Sequence, residues 1–329
     1  MEEKIEKELK WAVLGTGVIA NEMAQALEKM GKKLYAVANR THSKAVEFAK
    51  KYGVQKVYDN IEDMFTDEET DIIYITTPHN THIKFMIEAL KNGKHVLCEK
   101  SITLNSEELE EAVKIAKEKN LILGEAMTIF NMPLYTELLE IVNSGKLGDV
   151  KMIQVNFGSY KEYDMSNRFF NRNLAGGALL DIGVYAISIT RLFMSSKPDN
   201  VLSQVKYAPT GVDEQVGIIM MNKEQQMSTI ALTLHSKQPK RVVIACEKVY
   251  IEITEYPRAD KAKIVYTETG EVEEITAGMT SNALQYELQN MEESVRTGIN
   301  KMKLEYTIDV MDIMTKLRKD WGMTYPEEE

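Results

Sequence analysis

The sequence predicts an α/β chain in two parts, a doubly wound parallel sheet followed by an α+β region with a largely antiparallel open sheet. Three observations carry that expectation. Between about residues 9 and 127, short apolar runs alternate with amphipathic helical stretches, the pattern of βαβ units whose sheet is buried on both faces. From Val201 to about Ile275, strand-like segments follow one another across short polar turns, and loops this short cannot carry parallel crossovers. A length of 329 residues suits two domains, and 44% hydrophobic with 27% charged residues is ordinary for a globular protein.

In the first part the strands read as WAVLG, KLYAVAN, KVYD, IIYITT, HVLCEK and LILGEAM, with helices over residues 18–30, 43–52, 61–66, 80–92 and 105–119. Asn105 precedes SEELEEAVKIAKEKN as an N-cap, with acids in the first turn and lysines in the last, as the helix dipole favours. The rhythm changes after residue 127, so we expect one domain over 1–127 and another over 128–329. There Pro133 opens a helix ending near Gly145, and VKMIQVNFGS alternates as a strand. A Gly-rich turn in LAGGALLDIGVYAISITRLF leads into an apolar, buried helix. The segments VLSQVKYA, VGIIMMN, QMSTIALTLH, RVVIAC, VYIEIT and AKIVYTE follow as strands. Helices near 283–297 and 307–321 complete the pattern and are free to pack back on the first domain.

Composition narrows the partners. Acidic residues outnumber basic ones by 50 to 40, and a net charge of -10 without a segregated basic patch repels a nucleic-acid backbone. The charged start MEEKIEKELKW lacks the apolar stretch of a signal peptide, and no run of about eighteen apolar residues suggests a membrane span. A cytoplasmic location is expected. Cys98 and Cys246 are far apart and read as two buried thiols, not as a disulfide framework or zinc site.

Directly after the first strand stands Gly15-Thr16-Gly17-Val18-Ile19-Ala20, a GxGxxA fingerprint opening an amphipathic helix. Gly15 permits the tight turn, Gly17 lets the backbone approach a pyrophosphate, and Ala20 allows close helix-to-strand packing. Free N–H groups and the dipole at the helix N-terminus favour that anion. The first domain therefore reads as a Rossmann domain. The end of the second strand selects the cofactor, because an acid there would hold the ribose diol of NAD whereas an arginine accepts the 2′-phosphate of NADP. Asn39, Arg40 and Lys44 stand there with no acid, which favours NADP. Arg40 can also stack on adenine in either cofactor, so NAD stays possible.

The loop Thr76-Thr77-Pro78-His79-Asn80 follows the fourth strand at the edge where doubly wound sheets bind ligands. His79 and His82 have a spacing that a metal could use. Without a third ligand arranged beside them, contacts near the nicotinamide ribose are the preferred reading, and no metal is expected.

The fingerprint, the TTPHNTH loop, Glu99-Lys100, Glu125-Ala126-Met127 and GGALLDIGVY over residues 176–185 together resemble the Gfo/Idh/MocA oxidoreductase family over nearly the whole chain. Trp321-Gly322 and Tyr185 are most similar to its dimeric dihydrodiol, xylose and glucose-fructose oxidoreductase branch. The inositol dehydrogenase branch usually has His where Tyr185 stands. The resemblance implies that Glu99 lies by the cofactor and that Lys100 and Tyr185 face the substrate beside the nicotinamide. Oxidising a secondary alcohol removes a hydride from carbon and a proton from oxygen, so a site needs a base and a positive charge near the alkoxide. Lys100 would supply the charge, with its pKa lowered by a cationic nicotinamide, and Tyr185 would relay the proton, its phenolate favoured by the ammonium.

Asp181 lies four residues before Tyr185, so both can share a helical face, or Asp181 can cap that helix. The family commonly has Glu-Lys-Pro where this chain has Ser101, and losing the ring leaves Lys100 less rigidly aimed. Arg168 and Arg172, with Asn167 and Asn171, flank the Gly-rich turn and either hydrogen-bond a polyhydroxy substrate or stand solvated. The expected function is an NADP(H)-dependent oxidoreductase acting on the CH–OH group of a sugar, polyol or diol. A cofactor-binding regulator without turnover, or an NAD-dependent glycoside hydrolase, is the alternative on the same fold. Strands such as VGIIMMN are apolar on both faces, which predicts a homodimer or higher homo-oligomer through the second sheet.

Overall fold

A computed structural model describes residues 8–329. The expectation drawn from the charged N-terminus rests in part on residues 1–7, which lie outside the described residues. The first sheet is built from β1 (Trp11–Leu14), β2 (Ala36–Ala38), β3 (Lys56–Val57), β4 (Ile72–Ile75), β5 (His95–Glu99) and β6 (Leu123–Ala126). It runs in the order β3-β2-β1-β4-β5-β6 with every pairing parallel. The order reverses between β1 and β4, and the crevice at such a reversal is where this architecture receives ligands. The helices α1 (Val18–Lys29), α2 (His42–Tyr52), α3 (Ile61–Thr66), α4 (His82–Lys91) and α5 (Ser106–Glu118) cover both faces. β1 and β4 are buried along their whole length, which explains why they read as continuous apolar runs. Asn105 caps α5 as expected, its side chain accepting from the Glu108 amide.

Beyond β6 lie α6 (Thr128–Asn131), α7 (Pro133–Asn143), β7 (Val150–Gly158) and α8 (Val184–Phe193). Next come β8 (Asn200–Tyr207), β9 (Asp213–Met221), β10 (Met227–Thr233), β11 (Gln238–Cys246), β12 (Val249–Thr254), β13 (Lys261–Tyr266) and β14 (Val272–Thr276). α9 (Ala283–Thr297) and α10 (Leu304–Trp321) complete the order. The eight-stranded second sheet runs β14-β13-β12-β11-β7-β10-β9-β8. Its one parallel pair is β7 with β10, a non-local pairing inserted between hairpins. Ile153, Ile218, Ile230, Ile244 and Ile251 are buried on the inner face. α9 packs back on the first domain, where Leu284, Leu288 and Met291 join Trp11, Met23 and Leu27 in one apolar cluster.

One expectation is corrected. Arg172–Phe193, 22 residues, is long and apolar enough by composition to cross a membrane. Its most apolar window is 83% buried in the fold, the position of a core helix covered by the second sheet.

Candidate active site

The Gly-rich turn after β1 is shaped by contacts that glycine alone permits. Gly15 has φ +112°, and a Cβ there would stand 2.4 Å from Thr76 Oγ1. Its amide donates to the Ala38 carbonyl at 2.8 Å, tying the turn to the end of β2. At Gly17, by contrast, a Cβ would meet nothing within 4 Å, so the backbone there opens onto a cleft. α1 starts at Val18 with no side-chain cap and no acid in its first turn, leaving its amides and dipole for an anion. These features fit a dinucleotide pyrophosphate. Asn39 donates to Thr16 Oγ1 at 2.7 Å and accepts from the Thr41 amide at 2.8 Å, so it braces the rim that carries Arg40.

The cleft, about 630 Å³, is lined by Gly15, Thr16, Gly17, Asn39, Arg40, Lys44, Thr76, Thr77, Pro78 and Asn80, all expected at the cofactor. Ile61, Glu62, Lys84, Phe85 and Leu174 also line it and were not foreseen. Lys84 and Phe85, on the first turn of α4, follow the TTPHNTH loop directly, and that adjacency was the available signal. Leu174 arrives from the second domain, with no local signal to announce it. A continuation of about 440 Å³ is lined by Gly17, Val18, Ile19, Thr76, Thr77, Pro78, His79, Glu99, Lys100, Arg168, Leu174 and Tyr185. Ala20 and His82 are fully buried behind these walls. His82 faces the carbonyls of Thr77 at 2.7 Å and Ser101 at 3.0 Å, so it fixes the loop without reaching the cleft.

Lys100, after β5, donates to the main-chain carbonyl of Asp181 at 2.7 Å and to its Oδ1 at 3.3 Å. Its ammonium lies 4.9 Å from the centroid of the Tyr185 ring. Asp181 sits in a π-turn over Leu179–Gly183, a departure from α-helical bonding often found at functional sites. No side-chain cap forms at that turn, so of the two expected uses of Asp181 the structure displays the contact with Lys100. The turn needs its glycines: Gly177 has φ +126°, and a Cβ would stand 2.1 Å from Asp213 Oδ1. Asp213 Oδ2 accepts from the Leu179 amide at 2.6 Å, and Tyr325 donates to the Gly176 carbonyl at 2.7 Å.

The backbone after Lys100 is held in place of the missing proline ring. The Lys100–Ser101 peptide is cis. Ser101, fully buried, donates its hydroxyl to the Leu180 carbonyl at 2.9 Å, and His79 Nε2 approaches the Lys100 carbonyl at 3.1 Å. The expectation of a loosely aimed lysine is thereby corrected, since hydrogen bonds supply the restraint.

The protein's own groups set the charge state of the site. Burial pushes the Lys100 pKa down, but Asp181, Tyr185 and Glu99 outweigh it, and the net direction is up. Burial likewise opposes ionisation of Asp181, yet Lys100, Arg168 and His79 hold its carboxyl below the usual range. Burial dominates at Tyr185, whose phenol is pushed up to about 12 although Lys100 pulls it down. The protein's own field therefore favours a charged Lys100 and a neutral Tyr185. His79 is kept neutral, its pKa lowered to about 3 by burial, then by His82 and Lys100. Glu99 accepts from the Tyr74 hydroxyl, and burial raises its pKa.

The two arginines part company. Arg168 reaches within 3.7 Å of Asp181 Oδ1 at the cleft. Arg172 turns away to the Thr324 carbonyl and the Glu329 carboxylate.

Two family descriptions match: residues 9–127 fit the oxidoreductase family with an NAD-binding Rossmann fold, and residues 135–252 fit the GFO/IDH/MocA C-terminal domain. The chain is 30% identical over 329 residues to trans-1,2-dihydrobenzene-1,2-diol dehydrogenase of Xenopus laevis, covering 96% of this chain and 99% of that protein. The Homo sapiens protein of the same name is 29% identical, covering 97% and 99%. A variant of KijD10, a 3-ketoreductase from Actinomadura kijaniata in complex with TDP-benzene and NADP, has the same fold with a TM-score of 0.85 at 18% identity, covering 95% of this chain and 98% of that one. Levoglucosan dehydrogenase in complex with NADH and levoglucosan gives 0.84 at 16%, covering 96% and 98%. With both domain descriptions matched and a relative at 30% identity aligned along almost its full length, the chain belongs to the Gfo/Idh/MocA family of oxidoreductases.

Proposed function

We propose that this protein is an NADP(H)-dependent oxidoreductase that moves a hydride between nicotinamide and a secondary alcohol or carbonyl of a sugar, polyol or diol. One observation carries the reading: the cleft at the Gly-rich turn continues into the space beside Lys100 and Tyr185, with Gly17, Thr76, Thr77, Pro78 and Leu174 lining both. The diol dehydrogenases among its relatives, and the NADP and NADH complexes of proteins sharing its fold, support it. Gly15, Gly17 and the first amides of α1 would hold the pyrophosphate, with Arg40 and Lys44 favouring NADP and NAD still accommodated. The bound nicotinamide supplies or accepts the hydride.

Lys100, kept charged, stabilises negative charge on the substrate oxygen, and Asp181 fixes its position. Tyr185, neutral at physiological pH, is in the form that donates a proton to a carbonyl oxygen. Reduction therefore uses the site as it stands, whereas oxidation requires the phenol proton to leave first. Oxidation should speed up as pH rises through the alkaline range, and Tyr185→Phe should abolish that slope. A flat profile in the parent would remove Tyr185 from the proton path.

A domain boundary at residue 127 is supported by the end of the matched Rossmann description at that residue. A cytoplasmic location is supported by two free, buried thiols. A homodimer is supported by an apolar row across the outer face of the second sheet, Met221, Met227, Met152, Ala245, Tyr250, Val265 and Val272 in mutual register.

The experiment is initial rate with NADP⁺ and NAD⁺ over aldoses, inositols and trans-diols, comparing the parent with Lys100→Met. Losing one charged transition-state contact should lower kcat about 10²-fold or more. Tight NADP(H) binding with no turnover on any substrate would favour a regulator instead.

A further inference from the structure

We propose that Lys161 and Arg168 form an anion-binding subsite beside Lys100, so that the substrate is a sugar or polyol carrying a carboxylate or phosphate group. The inference rests on the oxidoreductase reading of the site and specifies its substrate class. Lys161 follows β7 and is fixed by its own backbone, its amide donating to the Leu234 carbonyl at 2.8 Å while its carbonyl faces His235 Nδ1 at 3.2 Å. Its ammonium lies over the Phe169 ring, 4.1 Å from the centroid. The Arg168 guanidinium lies 4.2 Å from the same centroid. Arg168 lines the cleft beside Lys100 and Tyr185, and Lys161 shares the Phe169 ring with it, which brings a second cation to the edge of the site.

The nearby acids leave an excess of positive charge here. Asp181 Oδ1 is shared between Lys100 at 3.3 Å and Arg168 at 3.7 Å. Glu99 lies at the inner end, where it accepts from Tyr74. Lys240, over Phe157, has Glu255 at 2.9 Å. Lys161 has no carboxylate within pairing distance among the described residues, although it is partly buried and packed on an aromatic ring. Burial first, then Arg168, Lys100 and Lys240, disfavour its charge, with Asp181 opposing them. In a chain of net charge -10, an unpaired cation packed on the ring that also carries the cleft-lining Arg168 is a group that an anionic ligand would stabilise. Carboxylate and phosphate share the chemistry that a guanidinium and an ammonium recognise.

The test uses the full chain with NADP(H). The ratio of kcat/KM for each anionic substrate to that of its neutral counterpart is measured for D-glucuronate and D-glucose 6-phosphate against D-glucose, and for inositol monophosphate against inositol. Binding without turnover is followed by the fluorescence of protein-bound NADPH. The ratio should exceed about ten in the parent for the carboxylate or the phosphate pair, and fall about tenfold in Lys161→Met, as expected for one charge-assisted contact. Lys161→Arg should restore it. Lys151→Met, which removes a remote surface lysine paired with Asp149 and Glu247, should leave it unchanged. Whichever pair shows the preference identifies the anion. Turnover with a ratio near one, or a ratio indifferent to Lys161→Met, overturns the subsite and leaves the oxidoreductase reading standing. Anion binding lost in Lys161→Met without turnover of any substrate keeps the subsite and overturns the oxidoreductase reading. No binding and no turnover overturns both.

Discussion

Three hydrogen bonds hold the chain at the Lys100–Ser101 peptide: His79 approaches the Lys100 carbonyl, His82 the Ser101 carbonyl, and the Ser101 hydroxyl reaches the Leu180 carbonyl across the domain junction. The hydroxyl bond links the strand end that carries Lys100 to the turn that carries Asp181. Ser101→Ala leaves a buried carbonyl without its donor, which costs about 1–3 kcal/mol. We expect a lower melting temperature together with a kcat that falls several-fold while the KM for NADP stays near the parent value. A change in NADP affinity alone, with kcat intact, would mean that Ser101 does not aim Lys100. This restraint was hidden in the sequence, because a serine in place of a proline announces lost rigidity and says nothing of the acceptor 79 residues away. Lys100 and Tyr185 were singled out by the family motifs and Asp181 by its spacing from Tyr185, and the structure brings the three into contact. For Arg172 the sequence left two uses open and could not announce the partners it takes, Thr324 and Glu329, because both are distant in sequence.

At the scale of elements, Glu125 joins three segments from the end of β6. Its Oε1 accepts the Ile102 amide at 3.1 Å, and its Oε2 accepts the Thr307 hydroxyl of α10 at 3.0 Å. Burial pushes its pKa up to about 7. A carboxyl whose folded pKa lies above its unfolded value contributes stability that is fully present below the unfolded pKa and is lost as pH rises through the folded one. The loss should therefore develop between about pH 4.5 and 7 and level off above, with an upper bound of about 3 kcal/mol. Glu125→Gln keeps an acceptor for Ile102 and cannot ionise, so its melting temperature relative to the parent should rise steadily across that window. A constant difference would show that Glu125 does not titrate there. The periodicities that announced most elements are local, which is why they were readable. The parallel pairing of β7 with β10 is non-local, and the sequence Val-Glu-Glu-Ile-Thr of β14 is too charged for its strand to stand out as a separate apolar run.

Across the whole molecule, the second sheet offers one surface for association and discourages others. Its edge strands carry charge, Glu273 and Glu274 on β14 and Lys206 on β8, a common guard against edge-to-edge pairing. Its outer face is different. Met152, Ile219, Leu202, Tyr250 and Val272 are exposed there, and Ile219 pairs with Leu202 in the row beside the continuous apolar one. Large contiguous apolar patches are uncommon on monomers, and a single broad patch of this kind suits a two-fold contact with a second copy of itself. Replacing Met152 and Ile219 with glutamate puts charges near the middle of that face, at positions already open to water in the isolated chain. The monomer should keep its fold and its melting temperature at low protein concentration, while sedimentation at micromolar concentration shifts from dimer to monomer. Because Lys100, Asp181 and Tyr185 meet within one chain, kcat should survive the dissociation. A parent protein that sediments as a monomer would leave the apolar row in need of another partner, and a double variant that remains dimeric would move the interface elsewhere.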